Sequence, residues 1–301
     1  MNKKSKSFKY FIEKLESLRY SYLPFWVTLT VFLIFFIFLY LTTPDDGFVQ
    51  EAYEYKTAMK RITPLERPNQ TYEKPKMSDV PNVYQNFVLT NNPTNKKVNY
   101  FFFVPESLKN AESYPIIFFI PGYNGDAQYE LHEGMQEFAQ NNGFAIAGIT
   151  FRANDEDFEN YVSYQYPYSW AAGAFLDILE NLKKDGVNYS NVYLHGFSAG
   201  AQFAGRTALL LPDKIKGCVI LASGGCICPN KYIPVKFMFA LGADDDAVRH
   251  RMQKVFINAA KKEKIDAIAK VYPNVGHDVS EQEMKDTLEF ILSLEKSDNN
   301  H

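Results

Sequence analysis

Val192-Tyr193-Leu194-His195-Gly196-Phe197-Ser198-Ala199-Gly200-Ala201 is the stretch on which the fold turns. It opens with an apolar run that suits a buried strand, and it closes on small residues that suit a helix lying close to a sheet. Between them stands Gly196-Phe197-Ser198-Ala199-Gly200. A bare Gly-x-Ser-x-Gly arises by chance about one time in ten in a chain of this length. The weight therefore comes from the context of strand, tight turn and helix, which lifts a serine hydroxyl above the end of a sheet. Gly196 and Gly200 are required because a side chain at either position would strike the neighbouring strand or helix.

Working outward, apolar runs and helical spacings alternate on both sides of this turn. Strands are expected at 83–90, 98–104, 115–120, 144–151, 191–195, 217–222, 235–241 and 267–272. The first two flank Asn91-Asn92-Pro93-Thr94-Asn95, which is turn material, so they read as a hairpin. Leu131, Met135, Phe138 and Ala139 fall at helical spacing, as do Ala171, Phe175, Ile178, Leu179 and Leu182. A helix over 199–211 follows the serine, Val248 to Ala259 gives another, and Met284, Leu288, Ile291 and Leu292 give the last. Right-handed crossovers between such strands build a doubly wound, mostly parallel α/β sheet spanning residues 81–295. In sheets of this kind ligands bind at the carboxyl ends of the strands.

The chemistry is sought at that edge. A serine hydroxyl needs a base, and the base needs an orienting carboxylate. Of the five histidines, His277 lies in the loop after the last strand and is the expected base. His195 ends the nucleophile strand and reads as structural; His250 sits between two arginines and reads as solvated; His132 reads as a surface residue and His301 is terminal. The acid is expected after the penultimate strand, where Asp244, Asp245 and Asp246 are adjacent. Asp245 is the expected triad member, with Asp246 suited to capping the following helix and Asp244 to solvent. An oxyanion hole needs backbone N–H donors. Ala199, at the start of the helix, and Tyr123, in Pro121-Gly122-Tyr123-Asn124-Gly125, are the expected pair. The aromatic stretch 161–170 contains Tyr166 and Trp170, which are read as candidate substrate-binding rings. No metal or cofactor is expected.

The order Ser198, Asp245, His277, each after its own strand, resembles the α/β-hydrolase superfamily over residues 83–294. Within it the chain is most similar to compact esterases: esterase D, feruloyl esterases and polyhydroxybutyrate depolymerase-like proteins. It also resembles dienelactone hydrolase and the catalytic domain of prolyl oligopeptidases. The resemblance implies an α/β-hydrolase fold and a carboxylic ester hydrolase working through an acyl-enzyme. Two departures stand out. The oxyanion loop begins Pro121-Gly122 where many relatives have His-Gly, and the segment between Ala222 and Val235 is too short for a large lid. A lidless site favours small or solvent-exposed esters. A peptidase of prolyl-oligopeptidase type is the alternative enzyme, although residues 44–80 are too short for a gating domain. A catalytically inactive hydrolase fold used for binding is the alternative outside enzymology, and it would need none of the three residues.

The amino-terminal region has a different character. Residues 23–43 carry no charge and contain Val31-Phe32-Leu33-Ile34-Phe35-Phe36-Ile37-Phe38-Leu39. About 20 such residues span a bilayer core. Residues 1–22 hold six basic and two acidic residues, whereas Asp45, Asp46, Glu51 and Glu54 follow the apolar stretch. The positive-inside rule then predicts a single-pass signal anchor over 23–43 with a cytoplasmic tail at 1–22 and an extracytoplasmic catalytic domain. Leu41-Thr42-Thr43-Pro44 is a poor signal-peptidase site. The proline-bearing residues 44–80 read as a stalk and 296–301 as a polar tail.

The 301 residues carry a net charge of −3, with 46% hydrophobic and 22% charged residues, which excludes a disordered chain and gives no basic bias for nucleic acid. Cys218, Cys226 and Cys228 lack zinc-finger spacing. In an oxidising compartment Cys218 could bridge to Cys226 or Cys228, or all three stay reduced. Asn69-Gln70-Thr71 and Asn188-Tyr189-Ser190 are glycosylation acceptors only in a eukaryotic host.

Overall fold

The computed structural model describes residues 27, 29–35, 87–92, 98–123, 125–131, 133–152, 163–167, 170–223 and 228–298. The chain divides into two units, Met1–Gln50 and Glu51–His301. Of the first unit, residues 29–35 are helical and their apolar side chains are exposed. Most of the expected anchor, 23–43, lies outside the described residues, as do the tail at 1–22 and the stalk at 44–80. Among the described residues no helix is long and apolar enough to cross a membrane.

The second unit is built on one eight-stranded sheet. Its strands are β1 (Phe87–Asn92), β2 (Val98–Phe103), β3 (Tyr114–Ile120), β4 (Ala145–Phe151), β5 (Tyr189–Phe197), β6 (Gly217–Leu221), β7 (Lys236–Gly242) and β8 (Ala267–Tyr272). They lie in the order β1-β2-β4-β3-β5-β6-β7-β8. β2 runs antiparallel to both β1 and β4, and every pairing from β4 to β8 is parallel. The expected hairpin is therefore present, although Asn91 and Asn92 continue β1 rather than turn, because they pair with Asn99 and Val98.

Among the described residues five helices of ten residues or more cover the sheet, besides the single turn Ala127–Glu130: α1 (Glu133–Asn142), α2 (Ala171–Lys184), α3 (Ala199–Leu210), α4 (Ala247–Lys262) and α5 (Glu281–Asp298). The alternation of side chains along each strand separates two cores. On one face Phe118, Leu194, Ile220 and Phe239 pack with Phe175 of α2, Phe203 of α3 and Phe256 of α4. On the other, Phe119, Tyr193, Val219 and Met238 pack with Met135 of α1 and Met284, Leu288 and Ile291 of α5. Each such fully buried side chain contributes about 1.5–3 kcal/mol of transfer free energy. β3 to β7 carry apolar residues on both faces because both faces are covered, which is why they read as unbroken apolar runs.

α5 runs on through Lys296, Ser297 and Asp298, into the stretch expected to be a polar tail. The polar side chains are compatible with this helical turn, since Ser297 Oγ donates to the Leu294 carbonyl. The described residues between β6 and β7 form no helix.

The chain leaves β3 for β4 on one side and reaches β5 on the other. That reversal opens a crevice at the carboxyl ends of β3 and β5, where the loop after Ile120 meets the turn at Ser198.

Candidate active site

Ser198 follows the last residue of β5 with φ 52° and ψ −115°, a left-handed conformation that costs a non-glycine residue about 1–3 kcal/mol. Its N–H donates to the Leu221 carbonyl at 2.9 Å, which ties the turn to the end of β6. The turn also needs close backbone approach. A Cβ on Gly196 would lie 2.4 Å from the Gly200 carbonyl oxygen, and one on Gly200 would lie 2.2 Å from the Pro121 oxygen. The second contact presses the start of α3 against the loop that leaves β3.

His277 reaches this serine from the loop after β8. Its Nε2 lies 2.8 Å from Ser198 Oγ, and its Nδ1 lies 3.1 Å from Asp245 Oδ2. The Asp245 side chain is 1% exposed and that of His277 is 37% exposed, so the carboxylate is enclosed behind an open imidazole. Asp245 Oδ1 accepts from the Asp246 N–H at 2.7 Å and from Arg249 at 2.6 Å. Burial pushes the Asp245 carboxyl up. The hydrogen bonds from Asp246, His277 and Arg249, with the Arg249 charge, outweigh burial and hold it below the usual carboxylate range. An ionised carboxylate only accepts, so the His277 ring carries its proton on Nδ1 and leaves Nε2 free to accept from the serine hydroxyl.

The three adjacent aspartates separate by geometry. Asp246 caps α4, its Oδ1 accepting from the Val248 N–H at 2.8 Å. Asp244 is exposed, and its N–H donates to the Val275 carbonyl at 2.9 Å. Together with Ala243 N–H on the Tyr272 carbonyl, that bond stitches the end of β7 to the His277 loop. Gly242 makes the stitch possible: a Cβ there would lie 2.1 Å from the Val275 oxygen. Sequence reading passed over this glycine, although its place at the end of an apolar strand, just before the acids, was a usable signal.

The loop after β3 completes the crevice. A Cβ on Gly122 would come 3.7 Å from Ser198 Cβ, so the residue before Tyr123 lies against the serine. The far end of the loop is clamped: Asp126 pairs with Arg152 at 2.9 Å and accepts from Thr150 Oγ1 at 3.3 Å. Ala199 is buried at the first position of α3, where the N–H groups have no carbonyl one turn back to bond. Among the described residues no group of three His, Cys, Asp or Glu side chains is arranged to hold a metal ion.

A family model described as phospholipase/carboxylesterase matches residues 158–294. No curated protein matches the chain. Solved structures do. Est1E from Butyrivibrio proteoclasticus superposes with TM-score 0.52 at 16% identity, over 69% of this chain and 98% of that one. An S-formylglutathione hydrolase from Agrobacterium tumefaciens gives 0.53 at 14% identity, over 69% and 95%. A hyperthermophilic esterase from the archaeon Pyrobaculum calidifontis gives 0.54 at 14% identity, over 85% and 93%. The chain has an α/β-hydrolase fold.

The other described histidines, His195 and His250, stand apart from the serine. His195 is fully buried on the α1/α5 side of the sheet, with Nε2 3.0 Å from Thr287 Oγ1. Burial pushes its pKa down to about 4. His250, expected in solvent, is half-buried with its Nε2 enclosed, because α4 turns that flank of the ring inward. His132 and His301 lie outside the described residues, as does Cys226. Cys218 is buried in β6 and Cys228 is half-buried.

Two expected substrate rings are placed differently from the reading. Tyr166 is 6% exposed with the Arg206 guanidinium 4.5 Å over its face, and Trp170 is 8% exposed and set edge-on to Phe151. Both rings are committed to packing because the end of β4 and α3 present a partner to each. Among the described residues of this aromatic stretch, Tyr164 meets the loop after β3: its hydroxyl donates to the Gly122 carbonyl at 3.2 Å.

Proposed function

We propose that this chain is a membrane-anchored serine hydrolase that cleaves carboxylic esters through an acyl-enzyme. The observation that carries the reading is the line of contacts from Asp245 through His277 to Ser198 Oγ, at 3.1 and 2.8 Å.

Ser198 Oγ attacks the ester carbonyl carbon while His277 Nε2 takes the hydroxyl proton. Asp245 stabilises the imidazolium without itself being protonated. The carbonyl oxygen becomes an oxyanion, received by the N–H groups of Tyr123 and Ala199. Collapse of the tetrahedral adduct breaks the bond to the alcohol oxygen, which takes the proton from His277 and departs. Water then attacks the acyl-Ser198 carbonyl, giving its proton to His277, and the second collapse returns the proton to Ser198 Oγ and releases the acid. The ester assignment is supported by the carboxylesterase description of the matching family model, and the short segment between Ala222 and Val235 favours small or exposed esters. The anchor rests on the uncharged stretch 23–43 and the basic residues before it, which support a catalytic domain outside the cytoplasm.

The test compares wild type with Ser198→Ala on a p-nitrophenyl ester and an aminoacyl anilide. Ester turnover lost in the variant, with Ser198 labelled by a fluorophosphonate in the wild type, is the expected result. Anilide turnover would make the enzyme a peptidase, and inertness toward both substrates would leave a binding protein. For the anchor, the full chain is expected to stay with membranes through alkaline carbonate washing, while residues 44–301 are released.

A further inference from the structure

We infer that Tyr164 is a positioning residue for the oxyanion hole: its hydroxyl holds the Gly122 carbonyl and so fixes the direction of the Tyr123 N–H in the same peptide unit. This rests on the reading of Ser198 as nucleophile and Tyr123 N–H as an oxyanion donor.

A trans peptide is planar, and its C=O and N–H point in opposite directions. Whatever binds the Gly122 carbonyl therefore aims the Tyr123 N–H. Two donors do so. Gly125 N–H bonds the Gly122 oxygen at 3.0 Å from within the same turn, and Tyr164 O–H bonds it at 3.2 Å from a loop 42 residues further along the chain. The first bond moves with the turn. The second relates the peptide to a different part of the fold.

Tyr164 is well fixed for this work. It is 1% exposed, and its ring stacks on Phe151 at the end of β4, with centroids 5.1 Å apart and planes 14° from parallel. Burial, with the neighbouring Tyr123 and Glu130, pushes its phenol up, so it stays a donor at any working pH. Its own loop is tied to α3: Arg206 donates to the Gln165 carbonyl at 2.6 Å and lies over the Tyr166 ring. Arg206 stands about two turns along the helix that begins at Ala199. One rigid path thus joins both oxyanion donors: Ala199 N–H, α3, Arg206, the loop at 163–167, Tyr164, the Gly122–Tyr123 peptide. Serving this path also explains why residues 163–167 are buried.

The experiment uses Tyr164→Phe in the full chain, which keeps the stacked ring and removes the hydroxyl. Turnover of a p-nitrophenyl ester is measured beside that of the matching thionoester, whose sulfur gains less from an oxyanion hole. The expected result is a kcat lowered about tenfold on the ester with KM changed less than about twofold, and an ester-to-thionoester rate ratio that falls with it. Binding of a trifluoromethyl ketone, which needs the same donors, weakens by the same factor. If Tyr164→Phe keeps wild-type kcat and ratio while Ser198→Ala is inactive, the inference fails and the proposed function stands. Equal slowing on ester and thionoester makes Tyr164 a packing residue and overturns the inference. So does a variant that does not fold, as judged by circular dichroism, if Tyr164→Met also fails to fold. Activity retained by Ser198→Ala overturns the proposed function, and the inference with it.

Discussion

His195 and His277 compete for the same serine on paper and are divided by the fold. His195 is three residues before Ser198; His277 is 79 residues after it. Yet it is His277 that lies 2.8 Å from Ser198 Oγ. Strand alternation decides the matter. Tyr193, His195 and Phe197 point to the α1/α5 face, and His195 is held there by Thr287, 92 positions along the chain. The serine sits beyond the last strand residue, on a turn that opens at the sheet edge, and only a loop at that edge can meet it. Nearness in sequence along a strand carries no reach; direction does.

The environments diverge accordingly. Thr287 gives its hydroxyl proton to the Glu283 or Met284 carbonyl, each at 2.9 Å, so it accepts from His195 Nε2–H and the buried ring stays neutral. His277 has an ionised carboxylate behind it and an open flank before it. The strongest way to break this contrast is to remove each ring in turn. His277→Ala should cost about 10⁴-fold or more in kcat on a p-nitrophenyl ester. His195→Gln should leave kcat within about fivefold, since its ring bonds Thr287 on the α1/α5 side, away from Ser198 Oγ. A reversal of the two outcomes would transfer the base to His195.

The next largest effect tests what holds His277 in place. Gly242→Ala puts a Cβ 2.1 Å from the Val275 oxygen, a backbone atom that cannot swing aside. The β7 end and the histidine loop must separate, and Asp245 moves away from the ring. Displacements near 1 Å cost about 10²-fold in rate, and that is the expected fall in kcat, read beside a circular dichroism spectrum that stays native. A variant with wild-type turnover would show that the stitch is dispensable.

The strands and helices were legible because both cores impose simple periods. Continuous apolar runs gave β3 to β7, and spacings of three and four gave α2, α4 and α5. The serine turn was legible because its glycines sit where backbone meets backbone. Less was legible wherever a position is decided by a distant partner. Phe151, Gly122 and Arg206 are scattered along the chain, and only folding turns the Tyr164 loop inward. For the same reason Tyr166 and Trp170 looked like a ligand platform, since composition reports aromatic rings but not which way they face. The three aspartates share one charge and one local sequence, and only the stitch between residues 243–244 and 272–275 turns Asp245 to the imidazole.

The two histidines also predict different responses to pH. His195 has a folded pKa of about 4, below the ordinary value of 6.5. Between those two values the unfolded chain binds a proton that the folded chain refuses. Stability from this site is therefore fully present above pH 6.5 and falls as pH drops toward 4, by about 3 kcal/mol. Asp245, and Asp286 of α5, which accepts from Lys270 and from the Tyr272 hydroxyl, are held below the carboxylate range, so their contributions are lost only at more acid pH. Urea titrations from pH 7 to 4 should show the slope in wild type and a flatter line in His195→Gln. Equal slopes would place the titrating group elsewhere.

The smallest expected effect repeats the contrast at neighbouring acids. Asp245 and Asp246 are adjacent, but one faces the imidazole and the other caps α4 through the Val248 N–H. Asp246→Ala removes a cap and should cost about 1 kcal/mol of stability, with Asp246→Asn recovering most of it. The alanine keeps the backbone N–H that donates to Asp245 Oδ1, so the carboxylate remains in place and kcat should change less than about threefold. Asp245→Asn, by contrast, keeps the shape and reverses the hydrogen bonding, which costs about 10⁴-fold in a relay of this kind. The pair is measured by urea midpoint and by turnover on the same preparations. If Asp246→Ala lost activity on the scale expected of Asp245→Asn, the acid behind His277 would have been assigned one residue too early.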